Sequence, residues 1–147
     1  MKLPDANLLI YALDSSSPKH QVARAWLDGT LSGTEPVGLA WLVLLSVVRL
    51  TTHPSVFAHP YQPEEAFDVI DGWLAQPCAT IVHPTDRHGA VLRSLLAPLG
   101  TGGNLTNDAH LAALGIEHNA IVYSCDADFS RFPRLEWIDP LRPEAGG

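Results

Sequence analysis

The chain has 147 residues, 46 % of them hydrophobic and 17 % charged, which is the composition of one globular domain with a large core. A net charge of −7 and a pI near 5.3 exclude a general basic surface for nucleic acid. They leave open a site whose acids hold cations, because a bound divalent ion inverts the local charge.

Two cysteines, Cys78 and Cys125, are too few for a disulfide framework, and no Cys/His spacing resembles a zinc site. Free thiols in a reducing compartment are the expectation. The opening "MKLPDANLLIYALD" interrupts its apolar run with Asp5 and Asn7 and carries no cleavage-site pattern. It therefore reads as no signal peptide, no segment is apolar for long enough to span a membrane, and the expected location is cytoplasmic.

In chain order, "KLPDANLLIYALD" predicts a short strand ending near Asp5, followed by an apolar turn of helix. "SSSPKHQVARAWLDG" predicts a helix capped by Ser17, with Pro18 first, Val22, Ala25 and Trp26 on one face, and Gly29 ending it. "PVGLA" suits a brief strand. "WLVLLSVVRLTTH" is apolar on nearly all sides and predicts a buried helix that stops before Pro54. "QPEEAFDVIDGWLAQ" places Pro63 and two acids in a first turn, then Phe67, Ile70 and Trp73/Leu74 at helical spacing.

"CATIVHP" is a β-branched run suited to a buried parallel strand. "TDRHGAVLRSLLAPLG" predicts a helix with Thr85 before it and Gly100 after it. "GTGG" lacks the Lys and Ser/Thr of a phosphate loop and suits a tight turn into the next helix. "NLTNDAHLAALGIEH" is helical, with Asn119 placed for a left-handed cap. "AIVYS" is a strand, "LEWIDP" a last short one, and "RPEAGG" a frayed tail. The domain is expected over residues 1–141 and the tail over 142–147.

Strands alternating with helices predict an α/β fold, a central parallel sheet with helices on both faces. Sites in such sheets form beyond the C-terminal ends of the strands. Asp5 ends the first strand, and Asp126 and Asp128 follow "AIVYS". Asp108 lies in the first turns of the preceding helix, which runs antiparallel to the strands and so begins at the same edge. Each acid alone also fits a local role, as a helix cap or in an Asx-turn. Together at one edge they favour a site. Clustered carboxylates raise one another's pKa unless cations hold them, and oxygen ligands of high charge suit Mg²⁺ or Mn²⁺.

"LPDANLLIYALD", "RLTTHPSVF", "TDRHGAVLRSLLAPLGTGGNLTNDAHLAAL", "NDAHLAALGIEHNAIVYSCDADFSRFP" and "LEWIDPL" together resemble the PIN-domain ribonucleases of the VapC toxin type, in their mycobacterial-like subgroup. The resemblance covers nearly the whole chain. It implies an endoribonuclease that uses Mg²⁺ or Mn²⁺ and is restrained by a cognate antitoxin, with RNA as substrate. It places the family's acids on Asp5, Asp108 and Asp126, and an extra metal-binding acid on Asp128. Asn7 and Ser124 match polar positions that hydrogen-bond to the acids or their waters. One departure matters: the family's usual Glu, three residues before an Arg, is here Ser46, three before Arg49. A hydroxyl cannot replace that charge, so a PIN domain that binds RNA or a partner without efficient cleavage is the rival reading.

"CDADFS" also resembles the start of haloacid-dehalogenase phosphatases, but only 19 residues follow Asp128 and none is Lys. The seven histidines form no H-E-x-x-H motif; His110 and His118 suit capping or surface roles. Trp26, Trp41 and Trp73 fall on apolar helical patterns and read as packing. Among the arginines, Arg49 and Arg131 are candidates for phosphate contact. The apolar excess of "WLVLLSVVRL", with the neighbouring "SPKHQVARAWL", predicts a surface for self-dimerisation or for the antitoxin.

Overall fold

Lys2–Pro4 forms strand β1, which lies at the centre of a five-stranded sheet. The structure is a computed structural model and describes residues 1–143. The elements that follow are α1 (Ala6–Leu13), α2 (His20–Leu31), β2 (Val37–Leu39), α3 (Trp41–Thr51), α4 (Pro63–Leu74) and β3 (Ala79–Ile81). Then come α5 (His88–Leu96), α6 (Leu105–Glu117), β4 (Ile121–Tyr123) and β5 (Trp137–Ile138). The strand order is β3-β2-β1-β4-β5, and every pairing is parallel.

Burial explains why so short a strand as β2 holds. Val37, Gly38 and Leu39 are all buried, as they must be when both faces of a parallel sheet are covered. Gly38 is required by close approach, since a Cβ there would collide with the side chains of Val82 and Leu3. One continuous core joins Leu3, Leu39, Leu44, Leu114 and Val122 of the sheet and its helices. Truncating a side chain such as Leu44, fully buried, typically costs about 2–5 kcal/mol.

Several helix boundaries and faces differ from the sequence expectation. Helix α2 begins at His20 with Lys19 before it, not at Pro18. Asp14 and Ser17 account for this: their side chains accept from the amides of Ser16 and Lys19 and hold a turn there instead. The helix also runs past Gly29, because Thr30 and Leu31 are buried. Its inward face is Ala23, Leu27, Thr30 and Leu31. Val22 is 54 % exposed and Ala25 is exposed as well, so the expected face was wrong by one position.

In α4 Ile70 and Trp73 point inward as expected, but Ala66 rather than Phe67 completes the face, and Phe67 is exposed. Helix α5 starts at His88, after a turn in which the amide of His88 donates to Thr85 O. Asn119 (φ 51°) adopts the left-handed conformation expected of it, and Gly100 (φ 66°), after α5, does the same. Helix α3 is buried on one side only, through Val43, Leu44, Val47 and Thr51, while Trp41 and Leu45 are exposed. From residue 144 onward the expected tail lies outside the described residues. No helix among the described residues is long and apolar enough to cross a membrane.

Candidate active site

Strands β1 and β4 are neighbours with Pro4 paired to Tyr123, so the residues that follow them leave the sheet side by side. The amide of Asp5 donates to Tyr123 O at 2.9 Å, extending the ladder by one residue. Asp126 and Asp128 lie on the turn after β4, which continues as a 3-10 turn over Ala127–Arg131. Helix α6 brings Asp108 to the same edge in its first turn.

One pocket of about 350 Å³ is lined by Asp5, Asp108, Asp126 and Asp128. Asp108, Asp126 and Asp128 each offer a ligand oxygen, and these atoms lie within 4.8 Å of one another. Asp5 stands beside this trio with its oxygens engaged. Its Oδ1 accepts from the amide of Ala6 at 2.7 Å and caps α1. Its Oδ2 accepts from Ser124 Oγ at 2.8 Å and from Asn7 Nδ2 at 3.4 Å. Asp126 Oδ1 in turn accepts from the amide of Asp128 at 2.9 Å. The local capping roles and the convergence therefore occur in the same residues.

The electrostatics follow from crowding. Burial, then the charges of Asp126, Asp5 and Asp128, push the carboxyl of Asp108 up to about 6. Burial also raises Asp5, opposed by the hydrogen bonds of Ser124 and the Ala6 amide. Like charges held this close favour a cation. An oxygen-only, highly anionic donor set fits a hard divalent ion that keeps some of its waters.

Asn7, Ser46 and Arg49 line the same pocket. Ser124 is fully buried beneath it and reaches Asn7 at 3.0 Å. Ser46 Oγ donates to Leu42 O, which leaves its lone pairs free to accept. Arg131 is not in the pocket wall; its Nε lies 3.6 Å from Asp128 Oδ1 in a half-exposed ion pair. Two residues missed in the sequence, Asn104 and Asn107, also line the pocket. Their signal was their place around the start of α6, just before Asp108.

A second polar cluster was missed at the other end of α6. Glu117, its side chain fully buried, accepts from the hydroxyl and amide of Thr85 and from His88 Nδ1. His88 Nε2 then meets His110 Nδ1 at 2.9 Å. Burial disfavours the ionised Glu117, but the hydrogen bonds from Thr85 and His88 outweigh it and hold its pKa below the usual range. His110, half-buried, is thus held against His88 rather than serving as a cap. The cluster ties α5 to α6.

The PIN domain family profile matches residues 2–135. Ribonuclease VapC37 of Mycobacterium tuberculosis is 48 % identical over 140 residues, covering 95 % of this chain and 97 % of its own. Ribonuclease VapC33 of the same organism is 40 % identical over 142 residues, with 97 % and 99 % covered. Among solved structures, VapBC2 from Rickettsia felis, bound to a DNA fragment from its promoter, superposes with a TM-score of 0.69 at 18 % identity. It covers 93 % of this chain and 96 % of its own. FitAB bound to an IR36 DNA fragment reaches 0.71 at 18 % identity over the whole of both chains. At such identities the structures speak for the fold alone. The chain belongs to the PIN-domain family, within its branch of VapC ribonucleases.

Proposed function

We propose that this protein is an endoribonuclease that hydrolyses RNA phosphodiester bonds with Mg²⁺ or Mn²⁺, and that it is the toxin of a type II toxin–antitoxin pair. The observation that carries the reading is the convergence of Asp108, Asp126 and Asp128 oxygens within 4.8 Å, with Asp5 on the same pocket. The relatives named as ribonucleases support it, at up to 48 % identity over nearly the full chain. The domain is taken to span residues 1–141, and its location to be cytoplasmic.

Asp5, Asp108 and Asp126 would hold the ion, with Asp128 as a further acid able to join them. A divalent cation, when bound, supplies Lewis-acid stabilisation of phosphate charge and a more acidic water. Burial and the neighbouring acids disfavour the charged form of Asp108, and a cation held there would relieve that cost. Ser124 and Asn7 hold Asp5 by hydrogen bonds, fixing the first acid relative to the last. Arg49, on the same pocket, contacts the RNA phosphate, while Arg131 first has to leave Asp128 to do so. Ser46 orients a water in place of the family's Glu.

The rival reading, binding without efficient cleavage, rests on that same Ser46. A thermal-shift titration with Mn²⁺ or Mg²⁺ beside an EDTA control, together with RNA cleavage, separates the two. Stabilisation with cleavage supports the nuclease; stabilisation without cleavage supports the binder. A cognate antitoxin protein is the proposed partner, consistent with structural neighbours such as VapBC2 of Rickettsia felis and VapBC-1 of Haemophilus influenzae. Trp41 and Leu45, one helical turn apart and exposed on α3, with Val22 on α2, form the proposed surface for the antitoxin or a homodimer.

A further inference from the structure

A second cavity, of about 330 Å³, opens on the other side of the turn that carries Asp126 and Asp128. Cys125, Ala127 and Ser130 line it, alternating in sequence with the acids that line the first pocket. Successive Cα atoms are about 3.8 Å apart, so the two cavities share one thin wall. The opposite wall is Trp137, Asp139 and Arg142. We propose that this cavity is a subsite for a guanine base of the RNA strand, next to the phosphate held at the acid cluster. The proposal deepens the ribonuclease reading and rests on it.

The lining matches a nucleobase in two respects. Trp137 offers an indole wall held in place by its own N–H, which donates to Ser124 O at 2.9 Å. Bases stack on such rings. Asp139 offers an anchored acceptor: its Oδ1 accepts from the amide of Leu141 at 3.0 Å and from Cys125 Sγ at 3.5 Å. Among the described residues, Asp139 Oδ2 has no hydrogen-bond partner, and Arg142, exposed, has no ion pair.

A carboxylate with a free oxygen selects for donors. Guanine presents N1–H and its N2 amino group side by side and is the best match. Uracil flanks its single N3–H with two carbonyl oxygens, which the carboxylate repels, and is the poorest. Arg142 supplies the cation for the adjoining phosphate. The acidic chain thus has one cation and one acceptor placed to hold a nucleotide beside a site that repels phosphate until its own ion is bound.

The test is a titration of the full chain, in EDTA, with guanosine 5′-monophosphate and with uridine 5′-monophosphate. It is read by calorimetry and by the Trp137 indole N–H resonance. Guanylate is expected to bind about tenfold more tightly than uridylate and to shift the Trp137 resonance. Asp139→Asn keeps the Oδ1 acceptor for Leu141 and is expected to erase the preference. Arg142→Ala, on the surface, is expected to weaken both nucleotides and leave guanosine unaffected. Equal binding of the two nucleotides, or a preference that survives Asp139→Asn, overturns the subsite. RNA cleavage assayed alongside keeps the two readings apart. Cutting without guanylate preference leaves the nuclease and removes the subsite; preference without cutting does the reverse.

Discussion

Ser124 Oγ donates to Asp5 Oδ2 at 2.8 Å across 119 positions of sequence. The same oxygen accepts from Asn7 Nδ2 and from the amide of Asp126, so one buried hydroxyl joins the first acid to the last. Ser124→Ala is expected to weaken metal affinity about 10–100-fold, since partners of ligating groups have effects of that size. Stability should fall by about 1–3 kcal/mol through the unpaired groups left behind. Calorimetric Mn²⁺ titration of the two proteins measures the first effect; wild-type affinity in the variant would remove Ser124 from the site.

Asp108→Asn is expected to abolish metal-dependent RNA cleavage while the protein folds normally. In EDTA at pH 7.5 the variant should melt higher. The folded carboxyl is raised to about 6 from the ordinary 3.8, so its ionised form costs stability that is absent below pH 3.8 and fully present above about pH 6. After discounting for solvent screening the gain is about 1 kcal/mol, or roughly 2–4 °C. It should vanish as the pH falls toward 4. Cleavage equal to wild type would rule out these acids as the catalytic centre.

Ser46→Glu restores the carboxylate that the family usually carries. Ser46 lines the acid pocket, so the variant is expected to be less stable in EDTA. Across a Mn²⁺ titration it should gain more melting temperature and more cleavage than wild type, because each added oxygen anion strengthens binding of a hard cation. Superimposable metal responses would show that position 46 does not reach the ion.

Glu117→Ala leaves Thr85 and His88 without their acceptor in a buried place. A loss of about 3 kcal/mol, roughly 6–12 °C, is expected near neutral pH. The pKa of Glu117 is depressed, so its contribution is present above the ordinary value of 4.5 and is lost as the pH falls through the lower folded value. The gap between variant and wild type should therefore narrow in acid. Thermal melts at pH 7 and pH 4 check both parts; equal melting at pH 7 would refute the assignment.

Leu45→Glu, at a position 56 % exposed, should change stability by no more than about 0.5 kcal/mol. It is expected to abolish self-association by light scattering, antitoxin capture, or both. Retention of both would clear this face of α3 of any role in assembly.

The alternation of strands and helices was readable because each period has its own physical cause, and all five strands lie where the sequence put them. The convergence of Asp5, Asp108 and Asp126 was readable because parallel topology sends every strand's C-terminal end to one edge. Helix faces were less legible. In α2 and α4 the chain offers apolar residues at adjacent positions, Val22 beside Ala23 and Ala66 beside Phe67, and only tertiary packing chooses between them. The Glu117–His88 contact was invisible because its two members stand on separate helices, and nothing in local spacing announces a contact across 29 residues.

The strand order carries a consequence for synthesis. β1 is made first, yet one of its two neighbours, β4, comes almost last. Asp126 leaves the ribosome 121 residues after Asp5, by subtraction of their positions. At about 5–20 residues per second that is a delay of roughly 6–24 s. Throughout it the acids cannot meet, whatever the emerging chain has already folded. On the proposed site, a nascent copy therefore has no complete acid cluster until its last segment has emerged.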